Sequence, residues 1–202
     1  DFMLLHERKI VARCDDSVIR FSGGDRKFIR RSRGWAPSPI QLDYEGEPVL
    51  ALGAELDNTV AISDGKNCYV SQYIGDVDNL ETLDFLEQTI EHLCSITGLE
   101  VPDKVACDLH PDFLTTELAE GMTENPIRIQ HHYAHLAAIL GENRLEETIG
   151  IAVDGVGYGS DGTVWGLEIM HATRCDLDRL GQLSQMLMPG GDRVTKCPAR
   201  MI

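Results

Sequence analysis

The order of hydrophobic patterns over residues 49–153 constrains this chain more than any other feature. Three short apolar runs come first, at 49–52, 59–62 and 68–71, separated by Asp57-Asn58 and Asp64-Gly65. An Asp-Gly pair between apolar runs is a hairpin signal, because the tight turn needs residues that tolerate positive φ. Leu80, Leu83, Leu86, Ile90, Leu93 and Ile96 then recur three and four residues apart, which puts them on one helical face. Asp78 or Asn79 stands where an N-cap belongs, and Gly98 where a left-handed C-cap belongs. Beyond this helix the pattern alternates. A strand at 104–109, a helix at 113–120, a strand at 127–130, a helix at 131–140 ending at Gly141 and a buried strand at 149–153 follow in turn. A strand meander followed by alternating helices and strands predicts an α/β fold with a mixed sheet and flanking helices.

Ahead of this pattern, residues 17–21 and 27–30 read as strands around a Gly23-Gly24 turn, too little to bury a core of their own. Pro37, Pro39 and Pro48, with Gly34 and Gly46 nearby, mark a linker over 36–48. Charge divides at the same place. Residues 1–35 hold nine Lys/Arg against five Asp/Glu, and the remainder nine against twenty-eight, so a +4 head precedes a −19 body. So acidic a body argues against a broad nucleic-acid footprint, which needs basic patches. No apolar run approaches the ~20 residues of a membrane span, and no signal-peptide pattern is present, so a cytoplasmic protein is expected. The six cysteines form no CxxC pair, which predicts reduced, mostly buried thiols.

Two motifs bear on chemistry. His131 and His135 lie four residues apart at the start of a helix, so both rings project from one face and can share a metal ion. His132 points elsewhere. A polar helix start with histidines capping nearby groups accounts for the same residues. The second motif runs from Asp154 through Gly155, Gly157, Tyr158, Gly159 and Asp161 to Gly162, between the strand at 149–153 and one at 163–170. Glycines there let backbone N–H groups approach a phosphate, although a Gly-rich hairpin explains them equally well. No Lys-Ser/Thr follows, so this is not a P-loop. Asp154 is expected at the strand end, where open α/β sheets bind ligands, facing a metal or its nucleotide. Asp108-Leu109-His110-Pro111 reads as a helix start capped by Asp108 or Asp112, without a catalytic role. The Arg30–Arg33 run is a solvated basic turn or a phosphate-holding one, and His92 is a surface residue.

Taken together these segments resemble the HypF carbamoyltransferases over nearly the whole chain. LLHERKIVARCDDSV and RRSRG look like the end of that family's YrdC-like domain, which makes carbamoyl-adenylate from ATP and a carbamoyl group. LALGAELDNTVAI, SQYIGDVDNLET, DLHPDF, QHHYAHLAA, DGVGYGSDGTVWG and MPGGD, in that order, look like its second, Kae/TsaD-like domain. The resemblance implies a ribonuclease-H/actin-like lobe over 49–202, preceded by a YrdC-like β tail over 1–35. It implies His131 and His135 as ligands of a divalent metal (Zn or Fe), with Asp154 as the catalytic carboxylate in the same site. Gly155, Gly157, Tyr158, Gly159, Asp161 and Gly162 would line the nucleotide pocket. Ser17, Arg31 and Arg33 would match nucleotide-contacting positions of the upstream domain. The implied substrates are carbamoyl phosphate and ATP with Mg, and the implied partner is a HypE-type maturation protein whose C-terminal cysteine accepts the carbamoyl group; neither nucleic acid nor membrane is involved.

Asp57 stands where the family usually has Lys, and Tyr73 where it often has His. The family's acylphosphatase domain and zinc-finger cysteines are absent from the sequence. A second actin-like lobe, which would bring a distal carboxylate to the metal, is expected to be missing as well. The chain is therefore expected to be a fragment, inactive alone, with an apolar face open where that lobe would pack. A tRNA threonylcarbamoyl-transfer enzyme would lack the YrdC-like tail. An O-carbamoyltransferase would carry that unit after the actin-like domain. A purely structural module would bind neither metal nor nucleotide.

Overall fold

The computed structural model describes residues 2–185, 187, 189–190, 193–197 and 199; Met188, Gly191 and Asp192 of the MPGGD run lie outside the described residues. Strands β1 (Val18–Ser22) and β2 (Asp25–Arg30) form a separate two-stranded hairpin, with Gly23 and Gly24 at φ of 62° and 87°. Their side chains are mostly exposed, as expected of a unit too small for its own core. Arg31 fastens this hairpin to the body of the chain, donating to the carbonyls of Trp35, Ser38 and Val70.

The predicted linker is partly a strand. β3 (Ile40–Gln41) sits within it, and β4 (Val49–Ala51), β5 (Ala61–Ser63) and β6 (Asn67–Val70) form the predicted meander. β3 adds to the β6 edge through only two residue pairs, too few to leave a hydrophobic pattern. Helix α1 (Leu80–Thr97) begins where Asn79 accepts the Thr82 N–H and stops at Gly98, φ 73°. Leu86, Ile90 and Leu93 are buried, each such side chain stabilising the fold by roughly 1.5–3 kcal/mol. Leu80 and Ile96, counted on the same stripe, are 68% and 50% exposed. Strands of three or four residues span about 10–13 Å, and so cannot cover an 18-residue helix about 27 Å long.

β7 (Val105–Asp108) lies parallel to β4. Helix α2 (Leu114–Met122) then leads to β8 (Ile127–Ile129), parallel to β7. The six-stranded sheet runs β3-β6-β5-β4-β7-β8, antiparallel on one side and parallel on the other, which is the expected mixed sheet. Its core packs Leu50, Leu52, Ile62 and Val105 against α1 and against Ala119 of α2. Neither Asp108 nor Asp112 caps α2: its N-cap is Phe113, without a side-chain bond, which leaves the Asp108 carboxylate for another use.

Helix α3 (His131–Asn143) passes through Gly141 rather than ending there. A glycine in a helix costs only about 1 kcal/mol, and the left-handed residue that ends this one is Arg144, φ 55°. Then come β9 (Glu147–Tyr158), β10 (Val164–Thr173), the unforeseen β11 (Leu177–Gln182) and the short helix α4 (Arg193–Lys196). β9, β10 and β11 make a second, antiparallel sheet, and α3 covers one face of it through Leu136, Leu140, Ala152, Trp165, Met170 and Ala172. The cysteines are all free, but only Cys107 is buried, and Cys175 and Cys197 are exposed. Cys175 lies in the tight turn between β10 and β11, where no layer covers it. Among the described residues, no helix is long and apolar enough to cross a membrane.

The other face of the β9-β10-β11 sheet is open. Ile149, Ile151 and Val153 are 70%, 59% and 80% exposed, and Ile169 and Leu180 lie beside them on the neighbouring strands. Alternation along β9 is thus inverted: the bulky aliphatics face outward, while Gly150 and Ala152 face the helix. A contiguous apolar face of this kind predicts self-association and binding of an apolar dye, both reduced by Ile151→Lys without loss of thermal stability. Sedimentation showing a monomer that binds no dye would contradict this.

Candidate metal site

The histidine helix starts where β8 ends, and Gln130 fixes how it starts. The Gln130 side-chain oxygen accepts the Tyr133 N–H at 2.9 Å, so its amide nitrogen donates to His132 Nδ1 at 3.0 Å and to the Tyr158 carbonyl at 3.3 Å. One side chain therefore caps α3, orients the fully buried His132 and ties the helix to the end of β9. β9 can lie this close because its contact positions are glycines. A β-carbon on Gly150 would stand 2.3 Å from Leu136, and one on Gly157 2.4 Å from the His132 ring.

The four-residue spacing puts His131 and His135 on one helical face, with ring centroids 4.8 Å apart. Both Nε2 atoms turn toward Asp154 Oδ2, at 3.0 Å from His131 and 3.5 Å from His135. Ligand atoms of the three residues lie within 4.8 Å of one another. His131 Nδ1 meets Asp108 Oδ2 at 3.0 Å, and Asp108 Oδ1 accepts the His110 N–H. The Asp108 hydrogen bond raises the His131 pKa; burial opposes this, and the charges of Asp108 and Asp154 add to it. Burial also works against the charged form of Asp154, but the Gly155 N–H and the three neighbouring imidazoles outweigh it and hold the carboxyl below its usual range. Burial lowers the pKa of His132. With Nδ1 engaged by Asp108, Nε2 of His131 faces a carboxylate oxygen, an arrangement that calls for a proton or a cation between them.

Asp154 is not at a strand end. β9 continues four residues further, and Asp154–Val156 stand opposite the single residue Gly166, so a bulge rather than a terminus sits beside the histidines. Gly155, Gly157 and Tyr158 are strand residues. The turn is shorter than expected, with Gly159 N–H bonded to the Thr163 carbonyl and Gly162, φ 75°, to that of Gly159. Asp161 accepts from Thr163 N–H and hydroxyl and from Trp165 Nε1, and pairs with Arg179. The two Thr163 bonds lead in bringing its pKa down to about 2. Arg179 in turn forks onto the buried Glu168.

The bonds of Ser17, Arg31 and Arg33 stay within residues 14–38 and Val70, away from the histidines. Asp57 and Tyr73, the two departures from the family pattern, bond to each other at 2.8 Å. Asp108 and His110, read from the sequence as part of a helix start without a catalytic role, lie beside the histidines, with Asp108 bonded to His131. His110 stacks on Phe113 and meets Tyr158 edge-on. The signal was available: Asp108 ends a parallel strand, where ligand sites gather.

Gly157→Ala is expected to destabilise the protein by about 1–3 kcal/mol, since His132 cannot retreat from the added carbon; denaturant unfolding checks this. In an NMR pH series, His131 should protonate above the usual histidine range and His132 below it. Similar midpoints for the two would contradict the geometry.

The family model for the HypF Kae1-like domain matches residues 44–142, and that for the second subdomain of the carbamoyltransferase Kae1-like domain matches 150–202. All of the chain aligns with carbamoyltransferase HypF of Rhizobium leguminosarum bv. viciae at 43% identity, and with the probable carbamoyltransferase HypF of Methanocaldococcus jannaschii at 40%. It covers 26% and 27% of those relatives. A crystal structure of full-length HypF in a phosphate- and nucleotide-bound form superposes on 93% of the chain with a TM-score of 0.88 at 38% identity, covering 25% of that protein. The HypF structure from T. kodakarensis superposes on 97% with a TM-score of 0.85 at 43% identity, covering 26%. The chain belongs to the HypF carbamoyltransferase family and spans about a quarter of the length of the relatives it matches.

Proposed function

We propose that this chain supplies the metal-holding side of a carbamoyl-transfer site. In the reaction, carbamoyl-adenylate, made from carbamoyl phosphate and ATP, gives its carbamoyl group to the C-terminal cysteine of a HypE-type partner, in cyanide-ligand synthesis for [NiFe]-hydrogenases. The convergence of His131, His135 and Asp154 carries the reading. Two imidazole nitrogens and a carboxylate oxygen suit Zn or Fe. His131 and His135 would hold the ion together with Asp154, and a metal there would supply Lewis-acid polarisation and charge compensation for the adenylate.

The cysteine thiolate attacks the carbamoyl carbon, a C–S bond forms, and the bond to the AMP oxygen breaks. Gly155, Gly157 and Tyr158, with the turn at Gly159, Asp161 and Gly162, border the site on the nucleotide side. Asp161 acts there by holding the turn, since its carboxylate is already engaged by Thr163, Trp165 and Arg179. Residues 1–35, with Ser17, Arg31 and Arg33, belong to the end of a YrdC-like adenylate-forming unit, with 36–48 as its connection to 49–202. The phosphate- and nucleotide-bound form of a related HypF supports use of ATP.

The test uses a full-length protein carrying this segment, with ATP, Mg, carbamoyl phosphate and a peptide ending in the partner's cysteine, read by mass spectrometry. A carbamoyl adduct on the cysteine is expected, and it should be lost in His131→Ala and in His135→Ala, which remove the ligands that would hold the metal. Transfer instead to tRNA or to a small alcohol, with no cysteine adduct, would contradict the reading.

A further inference from the structure

We infer that Asp108 is a positioning residue for His131: it holds the ring proton on Nδ1 and thereby presents the Nε2 lone pair to the ion. The inference rests on the metal reading above. Asp108 is 7% exposed, and among the described residues no Lys or Arg pairs with it. A buried carboxylate without a cationic partner is costly unless its oxygens are satisfied by hydrogen bonds. Here Oδ1 takes the His110 N–H at 2.8 Å and Oδ2 takes His131 Nδ1 at 3.0 Å. With Oδ1 held by the backbone of its own turn, Oδ2 has a fixed direction, and the imidazole must follow it.

The geometry gives each nitrogen of His131 a separate task. Nδ1 faces the buried Asp108, and Nε2 faces Asp154 Oδ2, the atom that His135 Nε2 also approaches. Both carboxylates can only accept. Asp154 Oδ2 can take its proton from His135 Nε2, and its side chain is 31% exposed to water, whereas the buried Asp108 Oδ2 has His131 as its donor. The neutral ring therefore keeps its proton on Nδ1 and its lone pair on the metal-facing side. A carboxylate behind a ligating imidazole also raises its basicity and restricts ring rotation. Among the described residues His135 has no such support: its side chain is 57% exposed, and the ion-pair partner it meets there is Asp154. The two histidines are thus unequal, with His131 oriented before any ion arrives and His135 closing onto it.

The experiment compares the wild-type protein with Asp108→Asn, which keeps an oxygen for the His110 N–H but can turn an amide N–H toward His131. With ¹⁵N-labelled histidine, at a pH where the imidazole is neutral and with no metal added, wild-type His131 should show the Nδ1–H form. The variant should shift toward Nε2–H, and its zinc affinity should fall about 10–100-fold at unchanged melting temperature. A wild-type ring in the Nε2–H form, or a variant that binds zinc as tightly as wild type, overturns the inference. If the variant does not fold, the wild-type tautomer decides. If the wild-type protein binds no zinc, the metal reading itself fails, and the tautomer result alone upholds or overturns the role of Asp108.

Discussion

Helix α3 lies against β9 so closely that neither Gly150 nor Gly157 has room for a β-carbon. This contact joins the two sheets, because α3 grows directly from β8 at the edge of the six-stranded sheet while β9 begins the three-stranded one. Gln130 secures the junction through one side chain that reaches the helix start, the buried His132 and the Tyr158 carbonyl. The result is a His131–Asp154 approach of 3.0 Å between residues 23 apart in the chain. Had β9 carried alanines at those two positions, the helix would stand off and the donor atoms would separate.

The far side of the site is stiffened differently. Glu168, 2% exposed, takes a two-pronged bond from Arg179, which also lies over the Trp165 ring and pairs with Asp161. Buried ion pairs contribute little net stability after desolvation, but removing one partner is costly, so they fix geometry. Here they pin the turn that follows β9. The site therefore lies between a helix held by close packing and a turn held by charge, with the Asp108 strand end behind it.

Most of the architecture was legible because it rests on periodicity. The α1 stripe with Asn79 and Gly98 at its ends, the meander and the βαβ alternation each leave a repeating signal in the sequence. β3 and β11 left none. The first pairs through two residues, and the second alternates Leu with charged and small residues on the edge of a sheet. The histidine pair was readable from its spacing, but the carboxylates were misassigned in place. Asp154 was expected at a strand end and lies beside a bulge in mid-strand, since glycines that read as a loop also permit close approach of a helix. Asp108, dismissed as a helix cap, is the residue that ends a parallel strand and meets His131. Hydrogen-bond partners brought together by tertiary packing leave no local pattern to read.

A cobalt(II) titration followed by visible absorption decides whether His131, His135 and Asp154 together hold a divalent metal ion. One equivalent per chain should bind with the d–d bands of nitrogen and oxygen ligation, and the bands should vanish in His131→Ala, His135→Ala and Asp154→Ala while His92→Ala leaves them unchanged. Absence of the bands in the wild type, or their persistence in all three site variants, would contradict the account.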